Sequence, residues 1–263
     1  MSRHVPRRRF GQHFLVDETV IGAIVAAIRP QPLDAMVEIG PGLEALTAPL
    51  AAALRHLDVI EIDRDIVARL RRAYAPERVT VHAGDALEFD FSVLPRELRV
   101  VGNLPYNIST PLLFHLARYA ERIRDMHFML QKEVVERMVA PPGGRDYGRL
   151  SVMLQYRFEM ESLLSVAAEA FAPPPRVESA VVRLLPRAQA ELTAASEAAL
   201  AQLVTRAFSQ RRKTLRNALA GMLDADDYAA LAIAPGLRAE NLAPGDFVAI
   251  SNYLVKKGNS ASA

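Results

Sequence analysis

Apolar positions recur along this chain in two rhythms. Short apolar runs at 35–39, 57–62, 79–82, 98–102 and 126–130 read as buried strands, and Ala180–Leu185 adds a further one. Between them, 43–55, 64–74 and 109–120 carry helical spacing, the last with Ser109 as cap and Pro111 in its first turn. An earlier helix is expected over 18–29, capped by Asp17, with Val20, Ile21, Ile24, Val25 and Ile28 on one face. Such alternation predicts an α/β fold, a Rossmann-like, mostly parallel sheet with helices on both faces. Pro141–Gly144 reads as a loop and Pro173–Pro175 as a rigid extended turn. After Pro186 the texture changes. Residues 187–196 are small and polar, as in a linker, 197–257 are helical with no strand signal, and 258–263 are expected to fray. The expected organisation is a catalytic domain over 1–186 and a small all-helical domain over 187–263.

Composition narrows the chemistry. With 263 residues, 51% of them hydrophobic, the chain can build a large domain and a small one. No apolar stretch approaches the roughly 18 residues that cross a bilayer, and Met1–Arg9 lacks the apolar segment of a secretion signal. The cytoplasm is the expected location, with no membrane partner. There are no cysteines, which excludes disulfides, thiolate metal sites and a cysteine nucleophile, and with it the covalent route to methylating a cytosine ring carbon. No metal is expected. Net charge is only +2, yet Arg7, Arg8 and Arg9 form a basic arm, and Arg206, Arg211, Arg212, Lys213 and Arg216 a second cluster. In a chain with 28 Arg against 4 Lys, either cluster fits a solvated face. The functional alternative is contact with nucleic-acid phosphates, which makes binding salt-dependent.

The glycine turn Gly40-Pro41-Gly42 stands between a strand and a helix. Glycine lets the backbone turn sharply and approach a ligand with no side chain in the way. Gly40-x-Gly42-x-x-Ala45 also satisfies a dinucleotide fingerprint. The next strand ends in Glu61-Ile62-Asp63, where a carboxylate can accept from ribose hydroxyls. To this point NAD and S-adenosylmethionine fit equally. Gly84-Asp85-Ala86, after the third strand, adds an acceptor for an adenine amine. The order Glu38–glycine turn, Glu61, Asp85, Asn103 is that of S-adenosylmethionine-dependent methyltransferases rather than of a dehydrogenase.

Asn103-Leu104-Pro105-Tyr106, at the end of the strand 98–102, supplies the target chemistry. The exocyclic amine of adenine is a poor nucleophile because its lone pair is delocalised into the ring. Two acceptors on the amine hydrogens, the Asn103 side-chain oxygen and the Leu104 carbonyl, favour a pyramidal nitrogen with a localised lone pair. Pro105 fixes the turn and Tyr106 stacks on the base. Phe171, just before the prolines, is expected on the base's other face.

These segments resemble the ribosomal RNA adenine dimethyltransferases. The resemblance runs through Arg9-Phe-Gly-Gln-His-Phe-Leu15, Val37–Leu43, Glu61–Asp63, Gly84–Ala86 and Gly102–Ser109. It continues through Met129–Val134, Tyr147–Val152, Phe171–Val177 and Phe208–Asn217, so that it spans roughly 9 to 220. It implies that S-adenosylmethionine is held by Gln12, His13, Leu15, Gly40, Gly42, Glu61, Asp85, Ala86 and Asn103. It implies N6 dimethylation of two adjacent adenosines in a hairpin loop near the 3′ end of 16S rRNA, late in small-subunit assembly, by a protein expected to be a monomer. By analogy the helical domain and the Phe208–Asn217 stretch help grip the RNA, so that with the basic arm the expected RNA contacts are Arg7, Arg8, Arg9, Arg211, Arg212, Lys213 and Arg216. Two positions depart from the pattern. His13 stands where Asn is frequent, and a neutral imidazole there can still hydrogen-bond the cofactor. Glu44 stands where a small residue is usual and is expected to point to solvent. Two other readings stay open. A DNA adenine methyltransferase shares the target chemistry, though no sequence-reading module is evident. A non-catalytic RNA-binding assembly factor fits the fold, though the target site is intact.

Overall fold

The computed structural model describes residues 13–106, 108–210 and 212–261. Its elements run β1 (Phe14–Leu15), α1 (Glu18–Ile28), β2 (Met36–Ile39), α2 (Thr47–Ala53), β3 (Leu57–Glu61), α3 (Arg64–Ala73), β4 (Val79–Ala83) and β5 (Leu98–Asn103). There follow α4 (Ser109–Ala117), β6 (Ile123–Gln131), α5 (Lys132–Val139), α6 (Arg149–Arg157), β7 (Phe158–Val166), β8 (Phe171–Ala172) and β9 (Ser179–Pro186). The rest is helical: α7 (Glu197–Phe208), α8 (Leu215–Ala218), α9 (Ala225–Ala230) and α10 (Pro244–Ala261).

Seven strands form one sheet in the order β4-β3-β2-β5-β6-β9-β7. The five from β4 to β6 are parallel, and β9 returns antiparallel to β6. The winding reverses between β2 and β5. In open parallel sheets the crevice at such a reversal, beyond the strands' carboxyl ends, is where ligands bind. Gly40 follows β2 and Asn103 ends β5, so the topology sets the glycine turn and the Asn103 turn side by side. Gly102 makes the approach possible, because a Cβ there would lie 2.5 Å from the Ile39 carbonyl oxygen.

The expected strands are all present, and β6 begins earlier, at Ile123. α1 is capped as expected, with Asp17 accepting from the Thr19 and Val20 amides. α4 is not capped by Ser109. Its cap residue is Ile108, and the Ser109 hydroxyl instead donates to the Tyr106 carbonyl at 3.1 Å, tying down the turn before the helix. α2 starts at Thr47 rather than 43, because 43–46 form turns with Glu44 at φ 75°.

The chain divides into two compact units, one holding the chain through Val135 with Met160–Pro186, the other Glu136–Glu159 with Arg187 onward. The sequence reading assigns 136–159 to the catalytic part. Those residues instead complete the helical unit, where Tyr147, Val152 and Tyr156 share a core with Leu200, Leu203, Phe247 and Ile250. The stretch read as a linker contributes Leu192 and Ala194 to the same core. α10 runs on to Ala261, into the stretch expected to fray. Among the described residues no helix is long and apolar enough to cross a membrane.

At the amino end of the parallel strands, Arg99 is 5% exposed and is held by Asp125, Asp34 and the Ile28 carbonyl, at 2.9, 2.6 and 2.6 Å. Burial alone would raise the Asp34 carboxyl. The Gln31 amide, Arg99 and Arg124 outweigh it and hold the group below the usual carboxylate range.

Candidate functional site

One pocket gathers the ends of β1, β2, β3, β4 and β5. Its lining includes His13, Leu15, Gly40, Gly42, Glu61, Asp85, Ala86 and Asn103, and also Leu104, Pro105 and Tyr106. Every described residue expected to hold a cofactor is therefore in the same cavity as the target turn. Gln12, Arg7, Arg8, Arg9 and Arg211 lie outside the described residues.

The glycine turn carries left-handed backbone, φ 69° at Gly40 and 54° at Gly42, which favours glycine. A Cβ on Gly40 would come within 3.8 Å of the Asn103 carbonyl and 3.9 Å of the Pro105 ring, so the two turns are in contact. A Cβ on Gly42 would press at 3.2 Å on Phe14, another lining residue. Glu61 is 7% exposed, and one carboxylate oxygen accepts from the Asp63 amide at 2.7 Å. Burial raises its carboxyl, opposed by the amides of Asp63, Ile62 and Gly42. Ile62 beside it is 48% exposed and offers an apolar platform that strand-end reasoning about acids overlooks. Asp85 accepts from the Leu87 amide at 2.9 Å through one oxygen, which leaves the second for a ligand.

Glu38 belongs to the same lining and is 1% exposed. Its Oε2 has no hydrogen-bond partner among the described residues. Burial, against the nearby Thr47 hydroxyl, pushes its carboxyl up to about 8, with the Glu61 and Glu44 charges adding to the rise. An unpartnered, buried acid lining a pocket is available to a ligand. Without ligand it costs stability. The unfolded chain ionises Glu38 near 4.5, the folded one only near 8, so stability falls as pH rises across that window and the loss is complete above it. Glu38→Gln is expected to flatten this fall in the ligand-free protein. Melting temperatures between pH 5 and 8 check it, and parallel curves for both proteins would contradict it.

The target turn is held at every residue. The Leu104 amide donates to the Met129 carbonyl at 3.1 Å, and the Ile108 amide to the Pro105 carbonyl at 3.1 Å. The Asn103 amide nitrogen donates to the His13 carbonyl at 3.4 Å, which leaves Oδ1 as an acceptor. The Tyr106 hydroxyl bonds Ser179 Oγ on β9 at 2.8 Å, and burial raises its pKa. His13 lies over Tyr106, ring centroids 6.1 Å apart and planes 24° from parallel. Its Nδ1 bonds the Pro173 carbonyl at 2.8 Å. A carbonyl only accepts, so Nδ1 carries the proton, and in the neutral ring Nε2 is the acceptor.

Two expectations need correction. Phe171 does not line the pocket. It is 4% exposed, pairs with Leu15 across β1–β8 and packs in the core, so its ring has no open face for a base. Glu44 points neither to solvent nor to the cofactor side. It accepts from Arg69 Nε at 2.7 Å and from the Tyr74 hydroxyl at 3.0 Å.

The model of the Ribosomal RNA adenine dimethylase family matches residues 3–256. The Ribosomal RNA small subunit methyltransferase A of Thiobacillus denitrificans is 63% identical over 254 residues, 97% of this chain and 100% of that one. Its namesake from Chromobacterium violaceum is 62% identical over 98% of this chain and 99% of its own. Among solved structures, a dimethyladenosine transferase from Plasmodium falciparum superposes with TM-score 0.82 at 25% identity, covering 94% of this chain and 98% of that one. The 23S rRNA methyltransferase ErmE superposes with TM-score 0.71 at 25% identity, covering 92% and 99%. The chain belongs to the ribosomal RNA adenine dimethylase family, S-adenosylmethionine-dependent enzymes that methylate adenine in rRNA.

Proposed function

We propose that this protein dimethylates N6 of two adjacent adenosines in a hairpin loop near the 3′ end of 16S rRNA, acting as a cytoplasmic monomer on the immature small subunit. The observation that carries the reading is the contact between the Gly40–Gly42 turn and the Asn103–Tyr106 turn in one pocket. The full-length likeness to small-subunit methyltransferases supports the choice of RNA.

The residues divide the work as follows. Glu61 is placed to accept from the ribose and Asp85, with one oxygen free, from the adenine amine of a nucleoside, and Gly40 and Gly42 let the backbone close on it. Buried Glu38 offers its unpartnered carboxyl oxygen to the amino-acid end. S-adenosylmethionine supplies the methyl group as a sulfonium. The target base, turned out of its loop, lies on Tyr106, which Ser179 holds in orientation. Asn103 Oδ1 and the Leu104 carbonyl accept from the two amine hydrogens and turn the nitrogen lone pair toward the methyl. Positioning and electrostatic alignment supply the acceleration. The proton leaves to water after transfer, so no general base is required.

Arg212 and Lys213 are exposed in the helical unit, where phosphate contact serves RNA binding. Reversing both charges is expected to weaken binding to the small subunit and to reduce the salt slope by about two. An unchanged slope would make them a solvated face. The reading as a whole is tested by complementing a bacterium that lacks this modification. Dimethyladenosine at two neighbouring 16S positions is expected, and unmodified 16S rRNA from cells making the folded protein would contradict it.

A further inference from the structure

Pro173 and Ser179 bracket a short segment at the rim of the target turn. At one end the Pro173 carbonyl accepts from His13 Nδ1 at 2.8 Å. At the other, Ser179 Oγ bonds the Tyr106 hydroxyl at 2.8 Å, and the Lys132 amide donates to the Glu178 carbonyl at 3.0 Å. His13 and Tyr106 are themselves stacked. The segment therefore arches between two anchors on a single ring pair. Within it Pro175 is buried, while Pro174, Arg176 and Val177 are exposed. Arg176 is three residues from each anchor, which keeps its Cα within about 11 Å of those of Pro173 and Ser179.

The charges on this rim are unequal. Lys132 is neutralised by Glu178 at 2.6 Å. Arg176 has no hydrogen bond or ion pair with any described residue. A guanidinium without a partner, carried on a backbone pinned at both ends, is available to an anion. Val177, 45% exposed, and Pro174 place apolar surface beside it, suited to a sugar face rather than to a second charge.

We propose that Arg176 binds a backbone phosphate adjacent to the adenosine whose base enters the Asn103–Tyr106 turn, fixing the register in which the RNA presents its amine. Planar, forked donors match a phosphodiester in two-point contact. The contact explains how a turn that reads only a flat ring and its amine can select one nucleotide within a loop. The inference rests on the RNA-methylating reading above.

The test compares wild type, Arg176→Ala, Arg176→Lys and Arg176→Glu on unmethylated small subunits, across a salt series. Cofactor affinity is measured separately by calorimetry without RNA. Arg176→Ala is expected to raise KM for the subunit about tenfold and to reduce the salt slope by about one. Cofactor affinity should not change. Lys should recover part of the loss, and Glu should exceed Ala. Unchanged KM and slope in the Ala variant would overturn the proposal. So would weakened cofactor binding in step with KM, since that would mean the segment acts through His13. Wild type inactive on these subunits would defeat the functional reading, and this inference with it. Wild type active with an indifferent Ala variant would defeat the inference alone.

Discussion

Asn103→Ala is expected to lower kcat by at least about 10²–10³-fold while leaving RNA affinity nearly unchanged. On the mechanism proposed above, the substitution removes one of two acceptors that localise the amine lone pair, an interaction made in full only as the nitrogen pyramidalises. Loss of such an interaction falls on kcat rather than on ground-state binding of the RNA. The fold should survive, because Asn103 donates only one long hydrogen bond, 3.4 Å to the His13 carbonyl, and the turn keeps its Met129 and Ser109 ties. Single-turnover methyl transfer with the subunit saturating is the check. Near-normal turnover would remove Asn103 from the chemistry.

Arg99→Leu has the largest expected effect on stability. Asp34 and Asp125 would be left buried without their shared guanidinium, and the Ile28 carbonyl would lose its donor. Breaking a buried pair from one side costs about 3–5 kcal/mol, a large share of the roughly 5–15 kcal/mol that holds a domain together. Arg99 and Asn103 stand at opposite ends of β5, separated by about 13 Å of strand. Activity per folded molecule should therefore hold at low temperature while the denaturant midpoint falls. A midpoint shift under about 1 kcal/mol would show that the network is solvated in practice.

Much of this was legible in the sequence because the site is built from strand ends. A strand announces itself by an apolar run, and the residue just past it is fixed in space by the ladder. Glu61, Asp85 and Asn103 could be placed for that reason, and the parallel sheet then brought them together. What the pattern hid depends on contacts distant in sequence. The apolar face of α6 has the same periodicity whether it covers a sheet or a helical core, so 136–159 could not be assigned to the helical unit. β7 shows little alternation, being exposed or half-buried over most of its length, and carries no apolar run. Phe171 sits in a motif-rich segment, yet its burial follows from the two-residue pairing with β1, which no local signal marks. Glu44 took its place from Arg69 and Tyr74, 25 and 30 residues away. In the sequence Glu38 is only a landmark of the glycine turn. Only its burial and its unpartnered oxygen make it a candidate ligand group.

On this proposal one pocket joins a nucleoside cofactor site to an adenine-amine site for use on rRNA. The most direct test offers labelled S-adenosylmethionine and the purified protein to unmethylated small subunits, fully methylated subunits and duplex DNA, with products identified by nucleoside mass. Label recovered as N6,N6-dimethyladenosine from the unmethylated subunits alone is the predicted result. Label on duplex DNA, or none on any substrate with cofactor bound, would contradict the account.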